Sequence, residues 1–117
     1  MSDLPTTAYK VLTAEQMATL EGGAFDGAAV DLADGYIHLS TAAQLTETVD
    51  KHFAGQSDLH VAAVDLGALG DAVKWEESRG GQLFPHLYGG PLLLETVVAY
   101  GPLTRAEDGS VALPVAG

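Results

Sequence analysis

Two of the four histidines sit in company that suits chemistry. His38 lies in the stretch Asp34-Gly35-Tyr36-Ile37-His38-Leu39-Ser40-Thr41, and His86 in Phe84-Pro85-His86-Leu87-Tyr88-Gly89-Gly90-Pro91. In the first stretch, alternation puts Tyr36, His38 and Ser40 on one face of a short strand and the aliphatics Ile37 and Leu39 on the other. Ser40 or Thr41 then stands where a helix N-cap belongs, with Gln44 three residues after Thr41. Free N–H groups and the dipole at such a terminus favour an anion, and an imidazole beside them tends to stay neutral. His38, Ser40 and Thr41, with Tyr36 alongside, could therefore orient a phosphate or a ribose. The plainer role for His38 is a partly buried ring bonded to the backbone.

The second stretch reads as a loop, too rich in glycine and proline for regular structure. Gly89 and Gly90 permit backbone that other residues resist, while Pro85 and Pro91 stiffen the ends. Loops of this kind on a rigid scaffold often carry function. His86 would serve as acid, base or hydrogen-bond donor, and Tyr88 would stack on a ligand ring. Otherwise Phe84 and Tyr88 plug the edge of the core and His86 caps a strand. Glu76 is a candidate general base if it faces the same place as the two histidines, and otherwise a solvated carboxylate. Arg79, one of two arginines, or Lys74 would meet an anionic ligand. His52 and His60 stand beside a helix stripe and at a strand start and carry little weight.

Several chemistries drop out. The chain has no cysteine, so disulfides, thiolate metal sites and cysteine nucleophiles are excluded. His38, His86 and a carboxylate are ligand types for zinc or iron, but no HxH or HExxH spacing supports a metal, and none is assigned. No GxSxG marks a serine nucleophile.

The elements that must position these residues can be read in outline. Residues 8–12 form a first strand, and Thr13 with Gln16 makes a capping box for a helix stopped by Gly22-Gly23. The segment GAFDGAAVDLADG reads as a loop with room for one helical turn. From Ala42 a helix carries the stripe Ala42, Leu45, Val49 and Phe53 and ends at Gly55. Residues 59–66, nearly all apolar, make a central strand, and a short helix is placed around residues 68–72. Residues 73–76 alternate, with Val73 and Trp75 inward and Lys74 and Glu76 on the opposite face. Residues 92–100 are the longest apolar run, strand-like from Glu95. The Asp108-Gly109 turn leads into an edge strand at 110–113. The expected fold is α+β: one domain over residues 1–117, two or three helices, and a mixed or mostly antiparallel sheet.

A length of 117 residues suits one domain, and the formal charge of −11 repels phosphate backbones and anionic membranes. A small-molecule ligand remains a suitable partner, while nucleic acid and membrane do not. No basic, apolar leader opens the sequence, and no apolar run approaches the length of about 18 residues that spans a bilayer. A soluble cytoplasmic protein is the expectation.

Taken together, DGYIHLST, the Gln-bearing helix after it, VDL, KWE, FPHLYGGPL and the late DGS turn resemble the uncharacterised bacterial family called domain of unknown function 952, over about residues 9–113. That family is grouped with the ADP-ribosyltransferase-like superfamily. The His-Leu-Ser strand end before a helix, and a strand closing on Val64-Asp65, look like the NAD-dependent RNA 2′-phosphotransferases. The resemblance implies a split sheet, a nicotinamide or phosphate pocket lined by residues 36–40, and NAD as cofactor. It also implies Glu76 in place of the superfamily's catalytic glutamate. The chain departs from that pattern in having only Arg79 and Arg105, and no early His-Gly motif. The leading expectation is an enzyme or enzyme relic with a nucleotide-type pocket. The alternatives are a non-catalytic metabolite-binding module and an interaction domain using residues 92–94.

Overall fold

The computed structural model describes residues 5–77 and 81–114. In β1 (Thr7–Thr13), Ala8, Lys10 and Leu12 alternate with Tyr9 and Val11, and all five are buried. Thr13 ends the strand and caps α1 (Ala14–Glu21): its hydroxyl accepts from the Gln16 N–H at 3.1 Å, and the Gln16 side chain accepts from the Thr13 N–H at 2.9 Å. Thr41 and Gln44 repeat this box at α3 (Ala42–His52). Between them lie β2 (Ala24–Phe25), α2 (Ala29–Asp34) and β3 (Ile37–His38). The chain continues through β4 (Leu59–Asp65), α4 (Leu66–Leu69), a 3₁₀ turn at Gly70–Ala72 and β5 (Val73–Glu77). After the gap come β6 (Leu83–Leu87), β7 (Leu92–Leu93), a second 3₁₀ turn at Leu94–Thr96, and β8 (Val97–Pro102).

The strands form three antiparallel sheets, ordered β1-β4-β8, β2-β7 and β3-β6-β5. The first sheet is covered on both faces, which is why β4 is an almost unbroken apolar run. On one side Ala8, Leu12, Ala62 and Val64 meet Met17 and Leu20 of α1, Ile37 and Leu87 of the third sheet, and Leu39 just after β3. On the other side Tyr9, Val11, Val61 and Ala63 pack with Leu45 and Val49 of α3. Among the described residues no helix is long and apolar enough to cross a membrane.

The third sheet sets the chemistry. Its register aligns Ile37, Leu87 and Val73 in one row and His38, His86 and Lys74 in the next. Ile37 and Leu87 enter the core, so the neighbouring row points the other way, together with Tyr36, Tyr88 and Glu76 two residues along each strand.

Five local expectations are corrected. Residues 83–87 are not a loop but the middle strand of this sheet; Pro85 cannot donate, yet its carbonyl accepts the Leu39 N–H at 3.1 Å. In the segment after α1 the expected helical turn is there as the six-residue α2, and β2 is added to it, giving four α-helices among the described residues rather than two or three. The strand expected over residues 36–40 contracts to Ile37–His38, with a single further bridge from Ser40 to Tyr9. α3 stops at His52, before Gly55, and its stripe loses Ala42, which is exposed. Residues 110–113 make one bridge, Val111 to Arg105, and no edge strand.

Candidate functional site

Short strands, held from behind by Ile37 and Leu87, bring together side chains that are far apart in the chain. The Tyr36 ring lies 4.2 Å from His86 in a stacked arrangement, 4.6 Å from His38 and 5.0 Å from Tyr88; the two imidazoles are 5.4 Å apart, edge to face. Tyr36, His38, Glu76, His86 and Tyr88 thus form one cluster on one sheet face.

His86 is 3% exposed, beneath Tyr36. Its Nδ1 lies 2.8 Å from Glu76 Oε1, and the Tyr88 hydroxyl donates to the same oxygen at 2.6 Å. The Glu76 side chain is 40% exposed. The bonds from Tyr88 and then from His86 favour its ionised form and lower its pKa, burial opposing. The same bond, made from Tyr88 to an ionised carboxylate, pushes the phenol up to about 12. Glu76 is held as an anion and is correspondingly a weak base.

His38 is arranged differently. Its Nδ1 lies 2.6 Å from Asp31 Oδ1 and its Nε2 lies 2.9 Å from Asp34 Oδ2. Nδ1 is hydrogen-bonded to Asp31, and the Asp34 carboxylate faces Nε2 at ion-pair distance. The ring lies between two carboxylates of α2. Asp31 is buried and fully engaged. Oδ1 also accepts the His38 backbone N–H at 3.0 Å, while Oδ2 takes the Ala28 N–H at 2.8 Å and the Lys10 ammonium at 2.9 Å. Lys10 further donates to the His38 carbonyl at 3.1 Å. Burial alone would raise the Asp31 pKa, but the His38 bond, the Lys10 charge and the two backbone donors hold it well below the usual carboxylate range. Burial lowers the Lys10 ammonium, with Asp31 opposing. Burial and then the charges of Asp34, Glu76 and Asp31 raise the Tyr36 phenol.

Ser40 and Thr41 do not join this cluster through any bond of their own. The Ser40 hydroxyl pairs with that of Thr48 at 2.9 Å, and Thr41 caps α3. Arg79 lies outside the described residues. Lys10, Asp31 and Asp34 are the members that sequence reading missed. One signal was available: Lys10 shares the inward face of β1 with Ala8 and Leu12, and a lysine there requires a buried acid.

Two cavities among the described residues are not lined by the imidazoles. One of these cavities, of about 280 Å³, begins at Tyr36 and runs between Leu32, Ile37, Leu87 and Gly89. The cluster is a face bordered by Tyr36, with His38 and Glu76 partly open to solvent and His86 buried. The face presents aromatic surfaces flanked by the carboxylates of Glu76 and Asp34. For a diphosphate the face offers Lys74, 6.0 Å over the Tyr88 ring, while Arg105 is engaged with Asp50 at 2.8 Å.

A family model described as a protein of unknown function (DUF952) matches residues 11–100, which contain Tyr36, His38, Glu76, His86 and Tyr88. The chain belongs to that family. Among solved structures it is similar to protein CC0527 from Caulobacter crescentus. The crystal structure of that protein has 45% sequence identity and a TM-score of 0.82, over 92% of this chain and 94% of the other. A crystal structure of a double mutant of the same protein gives 44% and 0.82 with the same coverage. Its solution structure gives 45% and 0.76, covering 92% and 91%. No curated protein matches the chain.

Proposed function

We propose that the Tyr36–His38–Glu76–His86–Tyr88 face binds a small nucleoside-type ligand, of the NAD or ADP-ribose kind that an ADP-ribosyltransferase-like fold would carry. The observation behind this reading is the convergence of two histidines, each with its own carboxylate, on two neighbouring tyrosines. A planar ring would lie against Tyr36 and Tyr88, and the ribose hydroxyls would donate to the free oxygens of Glu76 and Asp34. His86 would hold or pass a proton through Glu76, which links it to the exposed edge. His38, with both ring nitrogens engaged, would position Asp34 and Tyr36 rather than react. NAD would enter as ligand or substrate through its ring and ribose.

A thermal-shift screen with NAD, ADP-ribose and adenosine tests the reading. Ligand at about a hundredfold excess over its Kd should add about 2.7 kcal/mol of stability, and Glu76→Gln should remove the shift. A flat screen against all three ends the proposal.

A second reading, binding without catalysis, draws on the saturated His38 ring and the weakly basic Glu76. Release of nicotinamide from NAD separates the two. Turnover that His86→Ala lowers about a hundredfold or more would mark acid–base catalysis; a thermal shift without turnover would mark a binding module.

A further inference from the structure

We infer that the cavity beside Tyr36 takes an organic cation, so that the ligand of this face carries its positive charge there. This rests on the reading that the face binds a ligand, and it adds the charge of that ligand. The cavity, of about 280 Å³, has Asp26, Asp31, Leu32, Tyr36, Leu87 and Pro91 among its walls.

Three observations carry the assignment. The first is charge. Two aspartates line the cavity, and no lysine, arginine or histidine does. Asp31 is held by Lys10 at 2.9 Å, but Asp26 meets no partner among the described residues. An anion placed here would meet like charge without a compensating cation. The second is the ring. Tyr36 is stacked on His86 at 4.2 Å and also lines the cavity. Among the described residues the cation lying over a tyrosine is Lys74, 6.0 Å from the centre of Tyr88, and Tyr36 has none. An electron-rich ring near a carboxylate attracts positive charge. The Tyr36 phenol already feels such a field: burial first, then the charges of Asp34, Glu76 and Asp31, raise its pKa. The third is the apolar remainder of the wall. Leu32 is 65% exposed, and an occupant with a hydrocarbon body would cover it.

These walls select among cations. A hard metal ion exchanges its water for several oxygens, and among the described residues no group of three or more His, Cys, Asp or Glu could hold one. An organic cation has a diffuse charge and an apolar body. The charge suits Tyr36 and the Asp26 carboxylate, and the body suits Leu32, Leu87 and Pro91. A flat pyridinium-type ring and a quaternary ammonium share this chemistry. The net charge of −11 favours the approach of either.

The test is NMR of the whole protein, titrated with N-methylpyridinium, with choline and with pyridine, which is uncharged at neutral pH. Ionic strength is held constant with sodium chloride. Saturable shifts at Leu32, Tyr36, Gly89 and Gly90 are expected for a cation, with affinity about tenfold or more above that for pyridine. The tighter of the two cations tells a flat aromatic ligand from a quaternary ammonium. Asp26 is exposed, so Asp26→Asn should keep the melting temperature and reduce the preference for the cation several-fold, with pyridine unaffected. A loss confined to the charged probe is not what a damaged fold would give. Equal affinity for pyridine and N-methylpyridinium, shifts that sodium chloride alone reproduces, or a preference that Asp26→Asn leaves intact would overturn the assignment. NAD, ADP-ribose and adenosine run on the same sample separate the two claims. Nucleosides that bind beside an absent cation preference would remove the charge assignment alone, and cations that bind where nucleosides do not would remove the nucleoside reading alone.

Discussion

His38 and His86 are register partners on adjacent strands and point to the same face, yet the fold treats them in opposite ways. His38 is the more open, with a side chain 30% exposed, and both its nitrogens are bound by carboxylates, one of them wholly buried with Lys10. His86 is nearly sealed, but its one bonded nitrogen leads to Glu76, which reaches solvent. Exposure is therefore a poor guide to role here. The open ring belongs to a buried charge network that ties α2 to β1 and β3, and the sealed ring belongs to a chain of hydrogen bonds that faces outward. The first arrangement should govern stability and the second recognition.

The largest effect should come from breaking the first arrangement. Asp31→Ala strands the Lys10 ammonium, the His38 ring and two backbone donors, and should cost about 3–5 kcal/mol in a urea denaturation. A loss under about 1 kcal/mol would show that the network contributes little. The same carboxylate gives a pH dependence. Its pKa is lower folded than unfolded, so its contribution is complete above the ordinary carboxylate value of about 3.9 and drains away as pH falls below it. Melting temperatures between about pH 5 and pH 2 should fall more steeply for wild type than for Asp31→Asn.

Smaller changes sharpen the second arrangement. Tyr36→Leu removes the ring stacked on His86 and should cost about 1 kcal/mol, with a change in the His86 ring proton shifts as the readout. Glu76→Gln should leave the denaturation midpoint near wild type. Its effect should be on Tyr88, whose phenol titrates near 12 while bonded to the carboxylate and should return toward about 10 without it, followed by ultraviolet absorbance. An unmoved phenol would mean that the Tyr88–Glu76 bond is not formed.

Much of the fold was legible where local rules decide it. Both capping boxes are visible as Thr-x-x-Gln, and β4 as an apolar run, because these signals need no distant partner. The strand at 83–87 was hidden by Pro85 and the glycines after it, since its pairing comes from β3 and β5 on either side. α2 was legible only as room for one turn, for a related reason: Asp31 anchors it through Lys10, 21 residues earlier, and through His38. In the site, Tyr36, His38 and Glu76 were picked out by residue type and alternation, and His86 and Tyr88 by residue type alone, within a stretch read as a loop. Ser40 failed to follow His38 because the chain leaves the strand after Leu39 to bridge to Tyr9, turning the Ser40 hydroxyl to Thr48.

The central claim is that the five-residue face is a ligand site, and aromatic and amide NMR of the protein titrated with ADP-ribose tests it most directly. The account predicts saturable shifts concentrated at Tyr36, Glu76, His86 and Tyr88, with His38 following through Asp34. A spectrum that stays still at these five while ADP-ribose reaches high excess, or that moves only elsewhere, would contradict it.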